Sequence, residues 1–285
     1  MNDPIDILLA TYQGAHYLPE QLSSLLAQSY PYFHIWVRDD GSSDETLAQI
    51  DAFRRAHPER LTLLSSTGRL GVRGNFSALM RHAKAYYVMF CDQDDVWLPH
   101  KVEVTLLRMK ESEEREGRET PLLVHTDLQV VQADLAPIAP SFWGYTGIDP
   151  EATSLRALLR QNVVTGCASL INRPLLELAY PISPNSLMHD WWLALVAALF
   201  GKIEFIPEAT LLYRQHGRNS LGAKKLTVWS LIKQLIKKRL PITTHEHFQQ
   251  AQSLLQRYAH LLNASQQKVL HAFCFRTLKV NFRPK

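Results

Sequence analysis

Long apolar runs, paired cysteines and, over one extended stretch, acidic residues are what this sequence lacks, and each absence excludes a class of protein. The longest apolar run, Trp191 to Phe200, is about half of the roughly 20 residues that a membrane-crossing helix needs. No transmembrane helix is therefore expected. The three cysteines, Cys91, Cys167 and Cys274, are far apart in apolar surroundings, with no spacing that suits zinc or a disulfide framework. They are expected to be packed thiols in a reducing compartment. No basic-then-apolar signal peptide follows Met1, since the chain enters IDILLATY at once, and a cytoplasmic protein is expected. Repeats and low-complexity segments are also missing.

Between Glu208 and Glu246 no acidic residue occurs, while Arg214, Arg218, Lys224, Lys225, Lys233, Lys237, Lys238 and Arg239 all fall there. Such a segment seeks anions. Val228, Leu231, Ile232, Leu235 and Ile236 form an apolar stripe at helical spacing within it. The stripe either packs against the rest of the chain or lies on an anionic membrane surface. Without regular aromatic interleaving or a reading motif, no nucleic acid is expected as a partner.

What is present is an ordinary soluble composition: 285 residues, 46% hydrophobic and 20% charged, with a net charge of +4. That length buries a sizeable core. Strand and helix patterns alternate through the first half. IDILLATY, HIWVRDD, LTLLSS and YYVMFCD read as strands; PEQLSSLLAQS, DETLAQIDAFRRA and GNFSALMRHAKA read as the helices between them. Ser42 and Glu45 have the spacing of a capping box before the second helix. This order predicts a doubly wound α/β sheet, whose ligands bind beyond the carboxyl ends of the strands. Further on, LLVHTDLQVV, TGCASLINR and KIEFIPEATLLYR read as strands, TSLRALLRQN and MHDWWLALVAALFG as helices, and three helical stretches close the chain from Leu226.

The predicted strand ends carry Thr11 and Tyr12, then Arg38 with Asp39 and Asp40, then Asp92 to Asp95. In FCDQDDVWLPHK the bunched carboxylates repel one another unless a cation or hydrogen-bond donors sit between them. Hard oxygen ligands of this kind suit Mg²⁺ or Mn²⁺. The plain alternative is that Asp94 or Asp95 caps a helix beginning near Pro99. Asp39-Asp40-Gly41-Ser42 likewise reads as a capped turn or as a carboxylate aimed at the imide N–H of a uracil or thymine ring.

Together with ATYQGAHYLPEQLSSLLAQS, LGVRGNF, TGCASLINR, MHDWW and YRQHGRNSLG, these stretches occur in the order found in the family 2 glycosyltransferases, which the chain resembles from about Ile5 to Gly222. The wording of DQDDVWLPHK, HDWW and YRQHGRNSLG is most similar to the bacterial rhamnosyltransferase-like branch. The resemblance implies a GT-A type α/β fold: a doubly wound, mostly parallel sheet with flanking helices and a C-terminal helical appendage. Residues 1–222 would be the catalytic domain, with 1–100 holding the nucleotide and 101–222 the acceptor, and 223–285 a basic helical region.

It further implies an inverting, metal-dependent transfer of a sugar from a nucleotide-diphosphate donor, dTDP-L-rhamnose or a UDP-hexose, to a glycan or lipid-linked acceptor in bacterial surface polysaccharide (O-antigen) synthesis. By resemblance Asp190 is the base. Thr11, Tyr12, Asp39 or Asp40, Arg73, Asp92, Arg214 and Arg218 serve the donor, and Asp94 and His216 hold Mg²⁺ or Mn²⁺. Trp191 and Trp192 either offer flat faces to an acceptor sugar or belong to the core. His216, Arg214 and Arg218 are expected on a mobile loop, and the protein is expected in the cytoplasm or peripheral on the inner face of the plasma membrane. Two other classes compete. A nucleotidyltransferase would need a basic phosphate loop where TYQGAHYLPEQ stands, and a non-catalytic carbohydrate-binding protein would be expected to lose Asp94 or Asp190.

Overall fold

Along β1 (Ile5–Thr11) the side chains alternate between two cores. Leu8 faces a cluster with Phe90 and Trp192, while Ile7 and Leu9 face one with Met89 and Cys91. Burial on both faces is what a central parallel strand requires. The same alternation runs through β2 (Phe33–Asp39) and β4 (Tyr87–Asp92). The computed structural model describes residues 2–66, 68–216 and 244–281.

One nine-stranded sheet has the order β3-β2-β1-β4-β8-β6-β9-β5, with β7 beside β6. Its other strands are β3 (Leu61–Leu63), β5 (Val96–Trp97), β6 (Leu122–Val131), β7 (Pro137–Ala139), β8 (Ser169–Asn172) and β9 (Lys202–Arg214). β1 to β4 are mutually parallel, and β8 runs antiparallel between β4 and β6. β6 and β9 therefore share the direction of β1, and six of the nine strands are aligned. This is the mostly parallel, doubly wound α/β sheet that the alternating pattern predicts.

Helices cover both faces. α1 (Leu18–Leu26), α2 (Thr46–Ala56) and α4 (Lys101–Glu116) bury Leu22, Ile50 and Leu106 on one side. α3 (Gly71–Met80), α7 (Arg173–Ala179) and α8 (His189–Phe200) bury Phe76, Leu175 and Trp192 on the other. Between them lie the short α5 (Phe142–Thr146) and α6 (Leu155–Leu158). The last two helices, α9 (His245–Tyr258) and α10 (Ala264–Asn281), place Leu254, Tyr258, Leu262 and Leu270 in the same cluster as Phe90 and Trp192. They complete the core on that face. The first of the three expected C-terminal helices, with its basic residues from Lys224 to Arg239, lies outside the described residues.

Several local expectations need correction. α2 starts at Thr46 without a side-chain cap from Glu45 or Ser42. Ser42 Oγ instead donates to Asp39 Oδ2 at 2.6 Å, and Asp44 Oδ1 accepts from the Thr46 amide. No capping box forms, because the turn's hydroxyl is taken by the carboxylate behind it. Neither Asp94 nor Asp95 caps a helix either: the chain makes β5, antiparallel to β9, before α4 begins at Lys101. The expected helix TSLRALLRQN is only the four-residue α6, capped by Ser154. The irregular 136–150 connection contains β7 and α5.

Candidate active site

β1, β2 and β4 all end on one edge of the sheet, and their terminal polar residues wall a crevice of about 400 Å³. Thr11, Tyr12, Asp40, Asp92 and Asp94 line one part of it, and Gly166 and Asp190 another. All but Gly166 are expected residues, and the topology brings those six together although up to 179 positions separate them.

Backbone pinning shapes the wall around Tyr12. Gln93 reaches back to Tyr12, accepting its N–H at Oε1 and donating from Nε2 to its C=O, each at 2.8 Å. Gly14 is needed because a Cβ there would stand 2.1 Å from Gln93 Oε1. Asp39 is 2% exposed and accepts from Thr11 Oγ1, the Gly41 and Ser42 amides and Ser42 Oγ. Its carboxylate is committed to holding this turn, and it does not line the crevice. Asp40 accepts from Arg38 and from the Leu70 and Gly71 amides, and so ties the start of α3 to β2.

At the end of β4 the like charges are crowded. Burial first, then the charges of Asp94 and Asp190, push Asp92 up to about 7. Asp95 is wholly buried and held well above the usual carboxylate range, by burial and then by Asp94 and Asp92. Beneath them Lys101 is wholly buried, with its Nζ 4.6 Å from the Trp97 ring centre, and burial lowers it to about 8. Asp92, Asp95 and Cys167 offer ligand atoms within 4.8 Å of one another. That trio suits Mg²⁺ or Mn²⁺ poorly, because a cysteine sulfur is a soft ligand and these hard ions prefer oxygen.

A better donor set stands at Asp94. His216 Nε2 lies 2.8 Å from Asp94 Oδ2, and the imidazole stacks on Tyr17 with ring centres 4.7 Å apart. Carboxylate and imidazole beside the raised Asp92 suit Mg²⁺ or Mn²⁺, and a divalent cation would relieve the mutual repulsion that raises Asp92.

Asp190 lies in the first turn of α8, whose N-cap is Met188. It therefore does not cap the helix. Its Oδ2 accepts from the Gly166 amide at 3.1 Å and its Oδ1 from the Trp191 amide at 2.7 Å. Burial raises it to about 6 against the lowering effect of these bonds and of Asn162. A carboxylate held by backbone donors, with a pKa near the working range, is suited to accept a proton. Beside it His189 is 3% exposed and lies against Phe76, with ring centres 4.0 Å apart; burial lowers it to about 3, so it is neutral.

Other expected residues are not in the crevice. Arg73 donates to the Ser186 carbonyl and lines a separate cavity on another face of α3. Arg214 lies at the end of β9, not on a loop, and is 2% exposed. It bonds Glu20 and the Ala133 and Asp94 carbonyls, and stands 4.6 Å over Tyr17. It braces the acidic turn from behind. Trp192 is wholly buried and donates to the Ala179 carbonyl, so it is core and offers no face to a sugar. Trp191 is half-buried and donates to the Leu158 carbonyl at 2.6 Å. Arg218 lies outside the described residues.

Sequence reasoning missed Arg69, whose guanidinium stacks 4.0 Å over the Tyr12 ring at the crevice wall. It stands four residues before Arg73 in TGRLGVRGNF, and nothing in that stretch distinguishes the two. Gln93, Tyr17 and Gly166 were also missed; only the polar Gln93 inside an acidic run carried a signal.

Residues 6–115 match the family model described as glycosyl transferase family 2. The chain is 27% identical over 229 residues to the dTDP-rhamnosyl transferase RfbG of Shigella flexneri, covering 75% of this chain and 74% of that protein. It is 29% identical over 105 residues to the UDP-Glc:alpha-D-GlcNAc-diphosphoundecaprenol beta-1,3-glucosyltransferase WfgD of Escherichia coli, covering 37% of this chain but only 40% of that protein. Among solved structures, the mannosyltransferase PcManGT from Pyrobaculum calidifontis, in complex with GDP-Man and Mn²⁺, superposes with a TM-score of 0.57 at 16% identity, covering 100% of this chain and 77% of that one. This last likeness bears on the fold alone. Residues 6–115 are thus similar in sequence to the family 2 glycosyltransferases, and the chain as a whole has the GT-A type fold.

Proposed function

We propose that the protein is an inverting, metal-dependent glycosyltransferase that moves L-rhamnose from dTDP-L-rhamnose to a glycan or lipid-linked acceptor in bacterial surface polysaccharide synthesis. The observation that carries this reading is the shared crevice: Asp190, positioned by two backbone amides, lines the same cavity as the crowded Asp92 and Asp94. The similarity to RfbG supports the rhamnosyl donor.

In this reading Thr11, Tyr12 and Arg69 line the nucleotide, with Asp40 in reach of the base, and Asp92 contacts the donor ribose. Asp94 and His216 hold Mg²⁺ or Mn²⁺, which when bound neutralises charge on the departing diphosphate. Asp190 accepts the proton of the acceptor hydroxyl as that oxygen bonds to the anomeric carbon and the nucleotide leaves from the opposite face. Arg218 is kept as a donor-binding residue on the resemblance alone. Residues 1–100 serve the nucleotide and 101–222 the acceptor. No described helix is long and apolar enough to cross a membrane, and a cytoplasmic, membrane-peripheral setting is part of the proposal.

A UDP-hexose donor is the second reading, favoured by the similarity to WfgD. A thermal-shift screen against dTDP, UDP and their sugars, with and without Mn²⁺, decides between them, because a ligand that binds only the folded state raises the melting temperature. Metal-dependent stabilisation by dTDP-rhamnose supports the first reading, and preference for UDP compounds the second. No response to any nucleotide removes both.

A further inference from the structure

A groove of about 460 Å³ separates α6 from α10. Arg156, Arg160 and Lys268 line it above an apolar floor that includes Leu159, Val269 and Phe273, and no carboxylate does. The three cations are exposed. None of them makes an ion pair among the described residues. Cations gathered without a counter-charge repel one another and raise the local concentration of anions, and the floor adds a demand for an apolar group.

The groove is mechanically close to the proposed base. Trp191, next to Asp190, donates to the Leu158 carbonyl within α6, and the His247 ring of α9 meets Trp191 edge-on at 5.1 Å. Arg160 stands two residues before Asn162, whose side chain lies near enough to Asp190 to favour its ionised form. A ligand anchored between α6 and α10 is thus held by the same short segment that sets Asp190.

We propose that this groove binds the diphosphate of a lipid-linked acceptor, with Arg156, Arg160 and Lys268 on the phosphate oxygens and the start of the lipid chain along Leu159, Val269 and Phe273. The proposal rests on the acceptor reading given above and names where the acceptor's carrier sits. Phosphate between several cations gives strong, charge-assisted hydrogen bonds, and a chain on the floor makes a lipid diphosphate bind better than an inorganic one.

The test is a titration of the full chain with farnesyl diphosphate, a soluble diphosphate on an apolar chain, while a nucleoside diphosphate and Mn²⁺ are kept in excess to fill the crevice. The expected result is saturable binding that weakens about tenfold or more in Arg156→Gln/Arg160→Gln/Lys268→Gln, with an unchanged melting temperature because all three positions are exposed. Inorganic pyrophosphate should bind more weakly than farnesyl diphosphate. Equal affinity in the triple variant, or no binding to the wild type, overturns the proposal. So does a triple variant that loses only phosphatidylglycerol vesicles while farnesyl diphosphate fails to bind, which makes the groove a bilayer contact. Metal-dependent stabilisation by nucleotide is read separately in both proteins. Where it persists, a negative groove result counts against the groove alone; where the wild type lacks it, the glycosyltransferase reading fails on its own ground.

Discussion

His216 Nε2 sits 2.8 Å from Asp94 Oδ2 although the two are 122 positions apart, and Tyr17 backs the imidazole face to face. Three separate elements therefore fix one carboxylate–imidazole pair: the turn after β4, the end of β9 and the start of α1. Such a pair is stiff before any cation arrives, which lowers the ordering cost of binding.

His216→Ala should weaken nucleoside diphosphate binding about tenfold or more in Mn²⁺, in the range known for removing a group that ligates or orients a metal, and should change it little in a chelator. Titration calorimetry in both conditions reads the difference. Equal affinity of variant and wild type in saturating Mn²⁺ would remove His216 from the metal site. Asp94→Ala should show the same metal-dependent loss.

The Gln93–Tyr12 clamp gives a structural prediction. Gly14→Ala places a methyl 2.1 Å from Gln93 Oε1, and Gln93→Leu strips both the Tyr12 N–H and C=O of their partner. Overpacking costs about 1–3 kcal/mol, and leaving buried backbone groups unpaired costs about 1–3 kcal/mol. Each variant should melt several degrees lower and bind nucleotide more weakly. A Gly14→Ala protein with wild-type melting temperature and nucleotide affinity would show that the clamp relaxes without consequence.

Where side chains act through their own strand, the residues were legible in the sequence. Apolar runs alternating with helical patterns made β1, β2 and β4 readable, and a doubly wound order then placed Thr11, Asp40 and Asp92 at one sheet edge, whereas Asp190 was found only through the family resemblance. Where partners come from distant segments, they were not. Arg214 reads as a loop phosphate ligand by its neighbours, but the pairing of β9 with β6 and β5 carries it under the acidic turn, where its guanidinium donates to Glu20 and to the Asp94 and Ala133 carbonyls and its amide donates to the Asp95 carboxylate. Arg69 and Arg73 are equivalent in composition, and only the turn into α3 decides which one meets Tyr12. TGCASLINR reads as a strand, but nothing local gives β8 its antiparallel direction, and the two-residue β5 is too short to show a pattern.

Trp191 and Trp192, indistinguishable by sequence, should separate on mutation. Trp192→Ala empties a wholly buried site and should cost about 3–5 kcal/mol of stability, read as a large drop in denaturant midpoint. Trp191→Phe keeps the half-buried ring but loses the bond to Leu158, so it should leave the fold standing. If the proposed acceptor path passes α6, it should raise the acceptor KM more than it lowers kcat. A Trp192→Ala protein as stable as the wild type would contradict its place in the core.

Asp190 carries the pH prediction. Proton abstraction needs the carboxylate, and burial raises its pKa to about 6, so kcat should climb with pH through about 6 and level off above it. One unit lower, about a tenth of the groups are ionised and the rate should fall to about a tenth of its plateau. Asp190→Asn keeps the shape but cannot accept the proton; it should abolish transfer while leaving metal-dependent donor binding near wild type. Gly166→Ala separates position from basicity. Its Cβ would meet His189 Nε2 at 2.5 Å and the Asp190 Cβ at 3.4 Å, displacing a carboxylate that the Gly166 amide otherwise holds. That variant should lower kcat while its acidic limb moves, because the amide bond that helps keep the carboxylate ionised is disturbed. A flat pH profile from 5 to 8 in the wild type, with chemistry shown to limit the rate, would take the base role from Asp190.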